Sequence, residues 1–267
     1  MLKDITLGQY IHGDSVLHKA DPRVKIILTI LLMIVLFVIN TYTEFLMLSA
    51  FTVLTIIVSG IPFKYTIKGL KPIIIIVIFT GIINLLFSKG TPIFKFWYIQ
   101  VTYEGVEVTI KMALRLILIV TGASLLTLTT TPIVLTDGVE KLLGVFKRFG
   151  LPAHEIAMMM TIALRFIPTL LEETDKIMKA QASRGADFDT GNLIERAKSF
   201  IPVLVPLFIS AFRRADELAL AMESRCYRGG EGRTRLRQLK LTRSDLHISL
   251  VMCLFSVFIF LLHYKLF

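Results

Sequence analysis

Residues 71–88 read Lys-Pro-Ile-Ile-Ile-Ile-Val-Ile-Phe-Thr-Gly-Ile-Ile-Asn-Leu-Leu-Phe-Ser. After Lys71 the run carries no charge, and its length is close to the roughly 20 apolar residues that carry a helix across a hydrocarbon core. Similar runs lie at about 23–40, 44–60, 107–130 and 246–264, some short enough to extend into the interface. The 54% apolar share of the 267 residues exceeds that of soluble domains. These observations predict an all-α integral membrane protein with about five transmembrane helices. The first run, Val24–Ile39, follows a polar leader, lacks a small-residue cleavage site and is too long for a signal core, so it is expected to be retained.

Most of the charged residues fall within 136–245, which marks that stretch as water-facing. The expected division is an N-terminal membrane domain over 1–130, a cytoplasmic domain over 131–243 and a last transmembrane helix over 244–267. Orientation follows from basic flanks. His18, Lys19, Arg23 and Lys25 precede the first run, Lys64, Lys68 and Lys71 lie between the second and third, and the basic 136–245 region lies between the fourth and fifth. All three share one side if the N-terminus is cytoplasmic and the C-terminus outside, as the positive-inside rule requires. The same rule accounts for the net charge of +10 without nucleic acid, and no basic patch is interleaved with aromatics. Phe94, Phe96, Trp97, Tyr98 and Tyr103 in the 89–106 link suggest a short hairpin at headgroup level. Cys226 and Cys253 lie in different environments, so neither a disulfide nor a metal site is expected.

The polar region reads as three helices. The first, about 132–149, closes at Gly150 and Pro152. The second, 153–184, places Ile156, Met159, Met160, Ala163, Phe166, Ile167, Leu170, Thr174, Ile177 and Met178 on one stripe. Its first half is apolar enough to lie in or against the bilayer. The third, about 192–226, carries Leu204, Leu207, Phe208, Ala211, Ala215, Leu218 and Met222 on one face. Pro168, Pro202 and Pro206 are expected to kink these helices. Ala211, Ala215 and Ala219 form a four-residue ladder, either simple helix propensity or a close crossing of the two long helices. Gly229, Gly230 and Gly232 begin a basic loop to the last span.

No catalytic constellation stands out. The spans hold no Asp or Glu pair, and His-Glu-x-x-His, Gly-x-Ser-x-Gly and phosphate-binding glycine loops are missing from the sequence. Arg115 and Arg165 are the candidates for charge near the bilayer, and snorkelling or pairing near a helix end accounts for both. His12, His18, His154, His247 and His263 are scattered and read as surface or interface residues. The recurring feature lies elsewhere. Residues 180–185 read Ala-Gln-Ala-Ser-Arg-Gly and residues 221–226 read Ala-Met-Glu-Ser-Arg-Cys. The arginines of Ser183-Arg184-Gly185 and Ser224-Arg225-Cys226 share register with Asp175 and Asp216 upstream. Arginine in a last turn complements the helix dipole, and a following glycine is a common cap. Cys226 is no glycine cap, so that motif alone leaves the second copy unaccounted for. An exposed arginine fork also suits carboxylates and carbonyls on a partner protein.

Three stretches together resemble the transmembrane T component of energy-coupling factor transporters over nearly the whole chain. They are Gly8-Gln-Tyr10 and Gly13-Asp-Ser15 through His18 and Asp21-Pro22-Arg23-x-Lys25; Gly150-Leu-Pro152 through Ala163-Leu-Arg165-Phe-Ile-Pro168 to Gln181-Ala-Ser-Arg-Gly185; and Phe212-Arg-Arg-Ala-Asp-Glu217 through Ala221-Met-Glu223 to Arg225 and Tyr227-Arg-Gly-Gly230. The resemblance implies a scaffold in the bacterial cytoplasmic membrane with no active site. It would bind two ABC-type ATPase subunits, identical or different, through two coupling helices, and a separate membrane-embedded S component that captures a vitamin or trace metal. ATP and Mg²⁺ would sit at the ATPases. Arg184 and Arg225 would be the docking arginines; Ser183, Ser224 and Cys226 depart from the family's Ala-Arg-Gly-like pattern. A conventional ABC permease subunit with its own path, in which Asn84 and Arg115 would be lining candidates, and a membrane enzyme with an unrecognised site are the alternatives.

The orientation is directly testable. With Cys226 and Cys253 replaced by serine, a cysteine at Gly90 is expected to label from outside intact cells, and one at Asn192 only after permeabilisation. Labelling of position 192 from outside contradicts the orientation.

Overall fold

The computed structural model describes residues 10–88, 90–96, 99–188, 192–230 and 239–266. Gly8, Gln9, Trp97, Tyr98 and Gly232, used in the sequence reading, lie outside them. The helices are α1 (Val16–Lys19), α2 (Pro22–Val38), α3 (Tyr42–Ser59), α4 (Phe63–Phe87), α5 (Tyr103–Thr129), α6 (Pro132–Leu143), α7 (Ala153–Ser183), α8 (Leu193–Ser199), α9 (Ile201–Ser224) and α10 (Arg243–Leu266). An antiparallel hairpin of β1 (Pro92–Phe96) and β2 (Ile99–Thr102) links α4 to α5, within the link read as a hairpin. The chain divides into two compact units. One holds α1–α5, the hairpin and α10; the other holds α7–α9; the boundary falls inside α6, between Gly138 and Val139.

This is an all-α membrane protein. Among the described residues, five helices are long and apolar enough to cross a membrane: α3, α4, α5, α7 and α10. That set differs from the expected one in two places. With 17 residues, α2 is at the short end of what a bilayer requires. The 31-residue α7 is long enough, although the sequence reading placed it in the polar domain.

In the first unit α2 is the centre. Leu32, Val35, Leu36 and Ile39 pack with Phe45 and Leu48 of α3, Leu118 of α5, and Met252 and Ile259 of α10. Gly122 lets α5 approach α2 closely, because a Cβ there would meet the Leu32 side chain. Lipid offers no hydrogen bonds, so each polar group must be satisfied within the protein. Threonines 29, 55, 121 and 129 donate to carbonyls four residues back. Arg115 donates to the Ile39 carbonyl at 2.7 Å and to Asn40 Oδ1 at 3.2 Å, which closes the C-terminal end of α2. Pairing near a helix end was one of the two roles expected for it.

Polar ties hold both ends of α10. The buried Asp245 accepts from the Asp21 backbone N–H at 2.8 Å and from the Thr242 N–H and hydroxyl at 2.7 and 2.6 Å. At the far end, His263 Nδ1 lies 3.0 Å from Oε1 of the buried Glu44, whose Oε2 accepts the N–H groups of Asn40 and Thr41. Hydrophobic periodicity could not show these ties. The Arg23 guanidinium, bonded to Asp21 at 2.6 Å, holds that carboxyl below its ordinary value. Its stabilising effect is therefore present at neutral pH, and is lost only as pH falls below 3.8 and through the lowered native value.

Asp245→Ala leaves a buried backbone donor unpaired, which costs about 1–3 kcal/mol. Asp14, whose side chain is 98% exposed in its pair with Lys19, serves as the comparison. The expected outcome is a clearly lower melting temperature in detergent for Asp245→Ala and little change for Asp14→Ala. Equal melting of the two variants would show that the Asp245 tie does not hold α10.

Candidate functional site

The second unit presents the two arginine tripeptides, and its helices arise from local sequence. Gly150, at φ +84°, ends the 3₁₀ turn that follows α6. Helix α7 then runs without a break through Pro168. The expected helix over 192–226 is instead two, α8 and α9, divided at Phe200. Pro202 has no N–H to extend the α8 ladder, but it suits the first turn of a new helix. It starts α9 rather than kinking a longer helix.

Helices α7 and α9 pack antiparallel. Gln181 near the end of α7 reaches the Pro202 carbonyl at the start of α9, 3.5 Å away. In the middle, Arg214 donates to Glu173 at 2.8 Å. At the other end, the Tyr227 hydroxyl lies 3.3 Å from His154 Nε2 at the start of α7, and His154 Nδ1 lies 3.1 Å from Glu140. His154, read from sequence as a surface or interface residue, thus ties α6, α7 and the segment after α9.

The covered face of α9 carries Val203, Leu207, Ala211, Arg214, Leu218 and Met222. Leu204, Phe208, Ala215 and Ala219 are exposed, as are Met159, Met160 and Ala163 of α7. The close crossing expected at the alanine ladder is therefore not made there: of its members only Ala211 stands on the face toward α7. Both helices are apolar on more than one side, and the contact includes a charged pair, so an apolar pattern could not select the face.

The two tips close in the same way. In the first, Gly185 N–H bonds the Ala182 carbonyl and Ala186 N–H bonds the Gln181 carbonyl, both at 3.0 Å. In the second, Cys226 N–H bonds Glu223 at 2.8 Å and Tyr227 N–H bonds Met222 at 3.0 Å. This pair of bonds is the Schellman cap, which needs a left-handed residue after the helix. Gly185 supplies it at φ +90°, and Cys226 supplies it at φ +54°. Cys226 thus takes up the glycine geometry, which its residue type left open. The serines stand in the same register but bond different carbonyls: Ser183 Oγ donates four residues back to Lys179 and Ser224 Oγ three residues back to Ala221, each at 3.0 Å.

Arg184 and Arg225 occupy equivalent cap positions and are exposed, with no ion pair among the described residues. Because the helices run antiparallel, Arg184 stands beside the start of α9 and Arg225 beside the start of α7. The 24 residues of α9 set the tips roughly 36 Å apart. The site thus consists of two free guanidinium forks on matched rigid caps.

The cobalt transport protein family model matches residues 13–236. The energy-coupling factor transporter transmembrane protein EcfT of Ruminiclostridium cellulolyticum is 62% identical over 267 residues, covering 100% of both chains. Its namesake in Thermosediminibacter oceani is 58% identical over 245 residues, 92% of each chain. That of Bacillus subtilis is 45% identical over 263 residues, 98% of this chain and 99% of its own. The chain therefore belongs to this family, and it is a transmembrane component of an energy-coupling factor transporter.

Proposed function

We propose that this component holds two ABC-type ATPase subunits at Arg184 and Arg225 and passes their opening and closing to a membrane-embedded S component, which releases a captured vitamin or trace metal inward. The observation that carries the reading is the repeated tip, with the same cap, the same serine and an exposed arginine without an ion pair among the described residues. An ATPase dimer offers two equivalent sockets, and two equivalent plugs on a stiff antiparallel pair suit it. ATP and Mg²⁺ belong to those subunits, and this chain acts without a catalytic site. The outward apolar residues of α9, Leu204, Phe208 and Phe212 among them, together with Ala215 and Ala219, leave a face for the membrane partner or the bilayer. In this reading the tips face the cytoplasm, the N-terminus lies inside and the C-terminus outside the cytoplasmic membrane.

Arg184→Glu or Arg225→Glu replaces a donor fork with an acceptor. Removing one arm of a desolvated charged contact costs about 2–5 kcal/mol, or roughly thirty- to several-thousand-fold in affinity. Each single change is expected to weaken ATPase association and ATP-driven uptake, and the double change to abolish assembly while membrane insertion persists. Cys226→Gly is the control, because a non-glycine residue in the left-handed region costs about 1–2 kcal/mol. That variant is expected to melt slightly higher and to bind the ATPases as before. Normal uptake by the double arginine variant would assign the tripeptides to helix capping alone, whereas loss of binding in Cys226→Gly would place the Cys226 side chain in the contact.

A further inference from the structure

We infer that the membrane unit holds an anionic glycerophospholipid, with one acyl chain in a groove between α2, α3, α5 and α10 and its phosphate on Arg243 and His247. The groove has a volume of about 380 Å³ and is lined by Val24, Leu28, Phe51, Thr55, Gly122 and Val251 among others. It lies where α2 and α10 begin. Leu54, Val58 and Val251 on its walls are exposed, so it opens toward hydrocarbon.

From Val24 to Leu32 along α2 the groove runs roughly 12 Å. Its lining is almost wholly apolar, with Val24, Leu28, Leu32 and Phe51 along its length, which suits an extended hydrocarbon chain.

Charge at the mouth selects the headgroup. Arg243 and His247 are four residues apart on α10, one above the other, with Val251 continuing the same stripe into the groove. Lys240, Arg243 and His247 are exposed, and Lys240 and Arg243 have no ion pair among the described residues. The nearby acids are already engaged, Asp21 with Arg23 and Asp245 with Thr242 and the Asp21 N–H. Lys25 lines the groove, but its ammonium donates to the His18 and Thr129 carbonyls and the Thr130 hydroxyl, which uses its three donors. Among the described residues, the groups left to meet a phosphate are thus Arg243 and the His247 ring on the first turns of α10, whose N-terminal dipole favours an anion. Basic clefts between membrane helices hold anionic headgroups in this way.

The test is native mass spectrometry of the full chain released from vesicles of equal phosphatidylglycerol and phosphatidylcholine. The wild type is expected to retain phosphatidylglycerol over phosphatidylcholine by about fivefold or more, since one basic residue near a membrane surface contributes about that factor. Arg243→Glu with His247→Glu is expected to abolish the preference, and Thr55→Trp, which fills the groove, to abolish retention of both lipids. Melting temperatures confirm that each variant is folded. Equal retention of the two lipids by the wild type, or retention unchanged by Thr55→Trp, overturns the assignment. So does a photo-crosslinker at position 55 that labels a protein partner in the assembled transporter and not lipid.

Discussion

Each long helix of the second unit stops at an exposed arginine, and the left-handed residue after that arginine makes the stop. A helix end leaves carbonyls without partners, and an arginine at such a site can be drawn back to cover them. Here the backbone N–H groups of Gly185, Ala186, Cys226 and Tyr227 do that work, and both guanidinium groups are exposed without an ion pair among the described residues. The two caps share one geometry, and the proposed docking on an ATPase pair rests on that likeness more than on either cap alone.

The tips are only as useful as the lever behind them. Helices α7 and α9 are joined near both ends and in the middle by Gln181–Pro202, Glu173–Arg214 and His154–Tyr227. Tyr227 has two roles, since its N–H closes the Arg225 cap and its hydroxyl meets His154. A short chain of hydrogen bonds thus runs from the Arg225 cap to the start of α7. In the membrane unit, α10 is fastened by Asp245 at one end and Glu44 at the other. Those ties sit at the two ends of α10, while apolar side chains such as Met252 and Ile259 pack in the core between them.

Much of this was legible in the sequence. Long apolar runs such as 71–88 announce membrane helices, and the repeated Ser-Arg announces the paired tips. The failures have physical causes. Pro202 was read as a kink because the pattern continues on both sides of it, but the missing N–H made it a helix start. Cys226 left the second cap geometry open in the sequence, because left-handed geometry is rare for a residue with a side chain; the hydrogen bonds of the cap hold it there. The alanine ladder looked like a contact because small residues permit close approach, yet nothing in spacing alone says which apolar face of a two-faced helix meets its neighbour. His154 and Glu44 act through partners 73 and 219 residues distant, a separation that local patterns do not reach.

If each tip seats on one ATPase subunit, site-specific crosslinking will capture both contacts in the assembled transporter. A photoreactive residue placed at Ser183 or at Ser224 in the assembled transporter should label an ATPase subunit from each position, with comparable yield. The same group at Tyr264, exposed on α10, should label neither subunit. Labelling of an ATPase from only one of the two serine positions, or from neither, would contradict the account.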